Sequence, residues 1–244
     1  MTGDELSKAY DDAANQYLFS RTNDTTLSGF HNREIEQPTM FRLVPENLTD
    51  TVLLDIGCGP GIHMKKYVER GAIATGIDPS KEMIKLANDY CPEGIFKVGT
   101  VYNLGFEDSS FDIVTASFVV DHLEELEKAV QEISRVLKPK GLFIFSAPHP
   151  IRYMFRNSEK DIFVPSNSYF DKQKYCHNIA KSSGEFPSYP RLIQDYFKIL
   201  SKANFTLEDF VENEPKESWR EKYPDLDENN FRIPSTCFFK WKKK

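Results

Sequence analysis

The short apolar run Thr51-Val52-Leu53-Leu54-Asp55-Ile56 is closed by Gly57-Cys58-Gly59-Pro60-Gly61 and opens onto a helical stretch that reaches Arg70. A strand that turns into a helix through three glycines constrains the chain more than any other feature of the sequence. It brings unencumbered backbone and the free N–H groups of a helix start to one point, where a charged or polar ligand group can be held. The glycine spacing narrows the ligand. A dinucleotide fingerprint, Gly-x-Gly-x-x-Gly, would place its third glycine at Ile62, whereas here it falls at Gly61 and a carboxylate, Asp55, precedes the first. That spacing argues against a nicotinamide oxidoreductase.

The same unit repeats downstream. A second strand over Ala72 to Ile77 ends in Asp78-Pro79, and Ser80 is placed to cap a helix with Met83, Ile84, Ala87 and Tyr90 on its apolar face. Gly94 to Val98 reads as a third strand and Phe111 to Ala116 as a fourth, apolar on both faces as a buried parallel strand must be. Glu124 to Leu137 is an amphipathic helix stopped by Pro139 and Gly141, and Gly141 to Ala147 is a fifth strand. Strands alternating with helices define an α/β fold, a mostly parallel sheet covered on both faces. After Pro148 the period fails until a helix at Arg191 to Lys202 and strands at Phe205 to Val211 and Ser235 to Trp241; Glu212 to Asn230 reads as a surface excursion.

Asp78, at the end of the second strand, can accept hydrogen bonds from the two hydroxyls of a ribose. With it the sequence resembles a known family. Leu54-Asp-Ile-Gly-Cys-Gly-Pro-Gly61, Gly76-Ile-Asp-Pro-Ser80, Asn103-Leu-Gly-Phe-Glu-Asp-Ser-Ser-Phe-Asp112 and Arg135-Val-Leu-Lys-Pro-Lys-Gly141 are similar to the successive motifs of class I S-adenosylmethionine-dependent methyltransferases, over about residues 51 to 147. The resemblance implies a Rossmann-like seven-stranded sheet of order 3-2-1-4-5-7-6 with the last strand antiparallel, and S-adenosyl-L-methionine as cofactor, leaving as S-adenosyl-L-homocysteine. It further implies that Asp55, Gly57, Cys58 and Gly59 surround the methionine moiety and that Asp78 holds the ribose. Pro79 and Ser80 flank the adenine, Thr100 and Val101 meet its amine side, and the backbone at Ser117 and Phe118 takes the amino group. Many relatives carry an aspartate where this chain has Thr100, which leaves a weaker acceptor there. Lys140 stands where a glycine is common. A tyrosine of the first fifty residues, Tyr10 or Tyr17, would close over the methionine end.

A sulfonium is an activated donor, so the protein must align acceptor, methyl and sulfur and exclude water; a base is needed only if the acceptor has a proton to lose. Catalytic candidates are His122, after the fourth strand, and His149 after the fifth, in Ser146-Ala-Pro-His-Pro150, which resembles a signature of small-molecule members. His122 reads equally as a cap of the helix near Glu124, and Asp121 beside it would lie near the cationic sulfur. The expected organisation is one methyltransferase domain over residues 1–244. It divides into an N-terminal helical cap (1–50), a cofactor-binding core (51–147), an acceptor-side segment (148–190) and a C-terminal helix with two strands (191–244). Nine of the 12 glycines lie between Gly57 and Gly141 and 18 of the 32 aromatics after Pro150, among them Tyr153, Phe155, Phe163, Tyr169, Phe170, Tyr175, Phe186 and Tyr189 in the acceptor-side segment. These aromatics either wall an acceptor pocket or pin the segment to its own domain.

Charge selects the partner. Thirty-seven carboxylates against 31 Lys plus Arg give a net charge of −6, against the basic footprint of a nucleic-acid binder, so a small-molecule acceptor is expected. A nucleic-acid or protein methyltransferase, or a non-catalytic cofactor-binding protein of the same fold, are the alternatives. No apolar run reaches the roughly 20 residues of a membrane helix, the first residues are polar where a signal peptide would be basic and then apolar, and Cys58, Cys91, Cys176 and Cys237 show neither metal spacing nor a disulfide framework. The expectation is a cytoplasmic enzyme without metal or membrane partner; the sequence leaves its oligomeric state open.

Overall fold

The computed structural model describes residues 3–22, 29–154, 168–177 and 186–244. Strand β1 (Val52–Ile56) lies at the centre of a seven-stranded sheet, paired in parallel with β2 (Ile73–Asp78) on one side and β4 (Phe111–Ser117) on the other. Beyond β2 comes the edge strand β3 (Ile95–Val98), and beyond β4 come β5 (Leu137–Pro148), β9 (Thr236–Lys243) and β8 (Phe205–Glu212). Two short strands, β6 (Tyr175–His177) and β7 (Phe186–Ser188), form a separate antiparallel ribbon. The order is 3-2-1-4-5-9-8, with β9 antiparallel to both neighbours. Without the ribbon this is the 3-2-1-4-5-7-6 order that the resemblance implies.

The helices, in chain order, are α1 (Gly3–Thr22), a π-helical turn over His31–Glu36 running into α2 (Gln37–Leu43), α3 (Ile62–Glu69), α4 (Lys81–Tyr90) and α5 (Leu126–Val136). They continue with α6 (Ile151–Met154), α7 (Ile193–Lys202), α8 (Ser218–Lys222) and α9 (Asn229–Arg232). Successive strand residues face opposite sides of a sheet, and that alternation sorts the core. Leu54, Val114, Phe143, Phe145 and Phe239 pack beneath α5 and α7, while Leu53, Ile113, Ile144 and Phe238 pack against Met40, Met64 and Tyr67 of α2 and α3. A strand buried on both faces has no polar side to spare, which is why β1 and β4 read as continuous apolar runs.

Three details differ from the sequence reading. First, β5 begins at Leu137, and the turn that the sequence leaves before Gly141 is part of the strand. Lys140 there has φ +66°, a left-handed conformation costly for a residue with a Cβ. Gly141 is required in the same turn, because a Cβ on it would meet the carbonyl oxygens of Lys138 and Asp112 at 2.9 and 3.0 Å. Second, the polar stretch after Glu212 is not all surface. Trp219 is buried, and the Phe30 ring meets it at 5.0 Å and Tyr223 at 5.1 Å, closing the far layer of the core. A single turn of helix with one aromatic inside it, Trp219, and another at its C-cap, Tyr223, is too short to show a period. Third, the acceptor-side segment contains α6 and the β6–β7 ribbon; Phe155 and Phe163 lie outside the described residues.

Candidate functional site

The C-terminal ends of β1, β2 and β4 converge beneath α1, as expected where an open α/β sheet binds its ligand. Gly57, Gly59 and Gly61 all have positive φ (+64°, +52° and +81°), so the turn is one that only glycine adopts without strain. At Gly57 a Cβ would strike Val119 Cγ2 at 2.4 Å; at Gly59 it would meet only Tyr17 Cε1 at 3.9 Å, across open space. That space is a cleft of about 920 Å³ including its mouth. Gly57, Gly59, Asp78, Pro79, Thr100 and Val101 line it together with Tyr10, Tyr17, Ser117, Phe118 and His122.

Asp78 is held by backbone alone. Its Oδ2 accepts from the Gly59 N–H at 3.0 Å and its Oδ1 from the Ser80 N–H at 2.9 Å, which leaves each oxygen capacity for a further donor. Burial raises its carboxyl to about 6, against the pull of those two amides. Ser80 caps α4 as its sequence position suggests, its Oγ accepting from the Met83 N–H at 3.0 Å and donating to Asp11 Oδ1 at 2.6 Å. Asp11 also takes the Glu82 N–H, and Ser7 Oγ donates to the Pro79 carbonyl, so α1 is fastened across the mouth of the cleft.

Two of the proposed cofactor residues stand behind the cleft wall. Asp55 is buried, accepts from Thr115 Oγ1 at 2.6 Å and is raised to about 6 by burial. The Cys58 side chain faces β2, where a Cβ on Gly76 would meet its Sγ at 2.8 Å, and burial pushes its thiol well above the ordinary range. Both reach a ligand only through the turn they support.

The catalytic candidates separate. His122 borders the cleft. Its Nδ1 lies 2.6 Å from the Pro187 carbonyl oxygen, which can only accept; the proton is therefore on Nδ1, and Nε2 is the basic nitrogen of the neutral ring. Nε2 is 3.9 Å from Asp121 Oδ2, and the ring stands edge-on to Tyr10 at 6.4 Å. His149 does not line the cleft. Its Nδ1 accepts from the Ile151 N–H at 3.2 Å and its Nε2 donates to Glu212 Oε1 at 2.7 Å, so the ring ties the chain between β5 and α6 to the end of β8. Burial, against the Glu212 carboxylate, lowers its pKa. The aromatics after β5 divide likewise. Phe186 is buried against Tyr10 at 4.6 Å and Tyr153 meets Tyr175 at 5.5 Å, whereas Phe170 is exposed.

One residue buried behind the cleft wall has no signal in the sequence. Glu36, at the end of the π-helical turn, is fully buried and accepts from Ser117 Oγ at 2.6 Å, His63 Nε2 at 2.9 Å and Ser146 Oγ at 3.0 Å. Burial would raise the Glu36 carboxyl, but the His63 charge and these hydrogen bonds outweigh it and hold the carboxyl below its ordinary value; reciprocally, Glu36 outweighs burial and lifts His63 above its own. Ser146 Oγ in turn accepts from the N–H of Phe118, a non-glycine residue at φ +50°. Glu36 therefore braces the strained turn after β4, and its partners lie 27, 81 and 110 residues away along the chain. Among the described residues no group of three or more His, Cys, Asp or Glu is placed to hold a metal ion, and no helix is long and apolar enough to cross a membrane.

The fold and cleft define a nucleoside-binding α/β protein, and comparison with known proteins makes the class specific. Residues 54–145 match the family model of a methyltransferase domain. The chain is 31% identical over 93% of its length to an uncharacterized protein of Haemophilus influenzae, covering 92% of that protein. It is 31% identical over 63% of its length to a demethylmenaquinone methyltransferase of Paenarthrobacter aurescens, of which the match covers 59%. Among solved structures, an S-adenosylmethionine-dependent methyltransferase from Mesorhizobium loti superposes with a TM-score of 0.74 at 22% identity, covering 87% of this chain and 99% of the other. The protein belongs to the class I S-adenosylmethionine-dependent methyltransferases, and its cofactor is S-adenosyl-L-methionine. The cleft fits that group: the Gly59 side is open where a Cβ would point, and Asp78 retains acceptor capacity where a ribose diol would donate.

Proposed function

We propose that this methyltransferase acts on a small-molecule acceptor that enters the cleft between Tyr10, Tyr17 and His122. The observation that carries the reading is the fastening of α1 over the cleft by Asp11 and Ser7, which roofs a space walled by Tyr10, Tyr17 and His122. The net charge of −6 and a relative named for methylating demethylmenaquinone support it.

S-adenosylmethionine supplies a methyl group already activated on a cationic sulfur. Asp78 would accept hydrogen bonds from the ribose hydroxyls, the glycine turn and the Phe118 turn would hold the methionine end, and Thr100 and Val101 would border the adenine. Tyr10 and Tyr17 exclude water, so the acceptor is held in a low-dielectric enclosure. His122 takes up at Nε2 the proton that an oxygen or nitrogen acceptor loses, and the Pro187 carbonyl keeps the ring in the tautomer that can do so. His149 belongs to the β5–β8 junction in this reading. A metabolite screen with methyl-labelled cofactor tests the proposal: a labelled small-molecule product supports it. Labelling of RNA or protein alone, or cofactor binding with no labelled product from any acceptor, contradicts it.

A further inference from the structure

Ser117 and Ser146 are register partners at the ends of the parallel strands β4 and β5, so their side chains stand together on one face of the sheet. Both hydroxyls donate to the same oxygen, Glu36 Oε1, at 2.6 and 3.0 Å, while Glu36 Oε2 accepts from His63 Nε2 at 2.9 Å. A hydroxyl has a single proton to give. With that proton committed to Glu36, the Ser146 oxygen is left as an acceptor, and the Phe118 N–H uses it at 3.0 Å. The bond holds the chain where it leaves β4 in the left-handed region, with Phe118 at φ +50°. Val119, the next residue, lies against the glycine turn after β1, where a Cβ on Gly57 would strike its Cγ2 at 2.4 Å. Ser117, Phe118, Val119 and Gly57 all line the cleft, and Glu36 does not.

Three properties of Glu36 argue against packing as its whole purpose. It is the last residue of a π-helical turn, a rare conformation that occurs frequently at functional sites. It is a fully buried carboxyl group that needs three donors, where apolar side chains of the same volume would avoid the desolvation altogether. Its chain of hydrogen bonds ends on a strained backbone turn at the cleft wall, not in the interior of the core. Resting on the placement of the methionine end against the glycine turn and the Phe118 turn, we infer that Glu36 is a positioning residue for the cofactor: from outside the cleft, through Ser117 and Ser146, it fixes the backbone that meets the methionine portion of S-adenosylmethionine. Glu36 touches no atom of the cofactor. It sets the direction of two hydroxyls and thereby where Phe118 and Val119 stand. Asp78, held by the amides of Gly59 and Ser80, shares none of these hydrogen bonds, so the nucleoside half and the methionine half of the site are set by separate devices.

Two ligands separate the halves. S-adenosylhomocysteine carries the nucleoside and the amino-acid chain, whereas 5′-methylthioadenosine keeps the nucleoside and the sulfur and lacks the chain. Each is titrated calorimetrically into the full chain of wild type, Ser146→Ala and Glu36→Gln, at a temperature below the Tm of every variant. Wild type is expected to bind S-adenosylhomocysteine at least tenfold more tightly than methylthioadenosine. Ser146→Ala removes the acceptor of the Phe118 N–H and leaves the contact between Glu36 and His63 in place. It should weaken S-adenosylhomocysteine about tenfold, with methylthioadenosine within twofold of wild type, and Glu36→Gln should do at least as much. A ratio that stays at the wild-type value in either variant overturns the inference, whether both ligands weaken alike, as general loosening of the fold would cause, or neither does. If Glu36→Gln does not fold, Ser146→Ala decides alone. Equal binding of the two ligands by wild type would overturn the placement of the methionine end and the inference with it; a wild-type preference that survives in the variants refutes the role of Glu36 only.

Discussion

The floor of the cleft comes from three strand ends between residues 56 and 118, whereas its roof gathers Tyr10, Tyr17 and His122, backed by Phe186 and Pro187, from segments that are far apart in the chain. The floor is made mostly of backbone: positive-φ glycines and amides that hold a carboxylate. The roof is made of side chains, each placed by a contact with another segment. A backbone site is specified by local spacing and serves one cofactor for a whole family. A side-chain site can be rebuilt residue by residue, and it is where the acceptor is chosen.

The largest separation between the two regions should come from His122. His122→Ala is expected to lower kcat on an oxygen or nitrogen acceptor by about 10²–10⁴-fold, while S-adenosylhomocysteine affinity measured by calorimetry stays within twofold. Loss of affinity and turnover together would place His122 in the floor. The matching change, His149→Ala, should leave turnover within about threefold and lower Tm, because it strips Glu212 of its partner.

Glu36 joins the regions and gives the largest expected effect on stability. Glu36→Gln leaves His63 buried without its counter-charge, a loss of about 3–5 kcal/mol in denaturant titration. The pair also fixes a pH window. His63 is raised in the folded state, so its contribution is complete below its ordinary 6.5 and is lost as pH rises through the folded value. Glu36 is lowered, so its contribution is complete above 4.5 and is lost as pH falls through the folded value. The wild-type advantage over Glu36→Gln should therefore be greatest between these two values and shrink on either side.

Two smaller effects sharpen the comparison. Asp78→Asn keeps the shape of the floor and removes its charge, which should weaken cofactor binding about 100-fold, or roughly 3 kcal/mol for two charged hydrogen bonds. Lys140→Gly relieves the left-handed turn before β5 and should raise stability by about 1 kcal/mol, read as a Tm rise of a few degrees with activity unchanged.

How much of this was written locally follows the same division. The glycine spacing, Asp78 at the end of β2, the Ser80 cap and the apolar runs of β1 and β4 are each contained within about ten residues, and each is visible in the sequence. Glu36 was invisible because nothing adjacent to it in the chain predicts three partners from three different elements. The Trp219 cluster was hidden inside a charged stretch, where the buried face of a single helical turn has no period to detect. His122 and His149 looked alike as histidines following strands; only the Pro187 carbonyl and the Glu212 carboxylate, far along the chain, distinguish a ring at the cleft from a ring at a strand junction.

The central claim is that the backbone-held carboxylate at the end of β2 binds the nucleoside in its ionised form. The direct measurement is a calorimetric titration of S-adenosylhomocysteine into wild type and Asp78→Asn from pH 5 to pH 8. With the Asp78 carboxyl raised to about 6, wild-type affinity should be constant above that value and fall toward tenfold per pH unit below it, while the variant, weaker throughout, should not show this fall. Equal affinity in the two proteins, or one pH profile shared by both, would contradict the account.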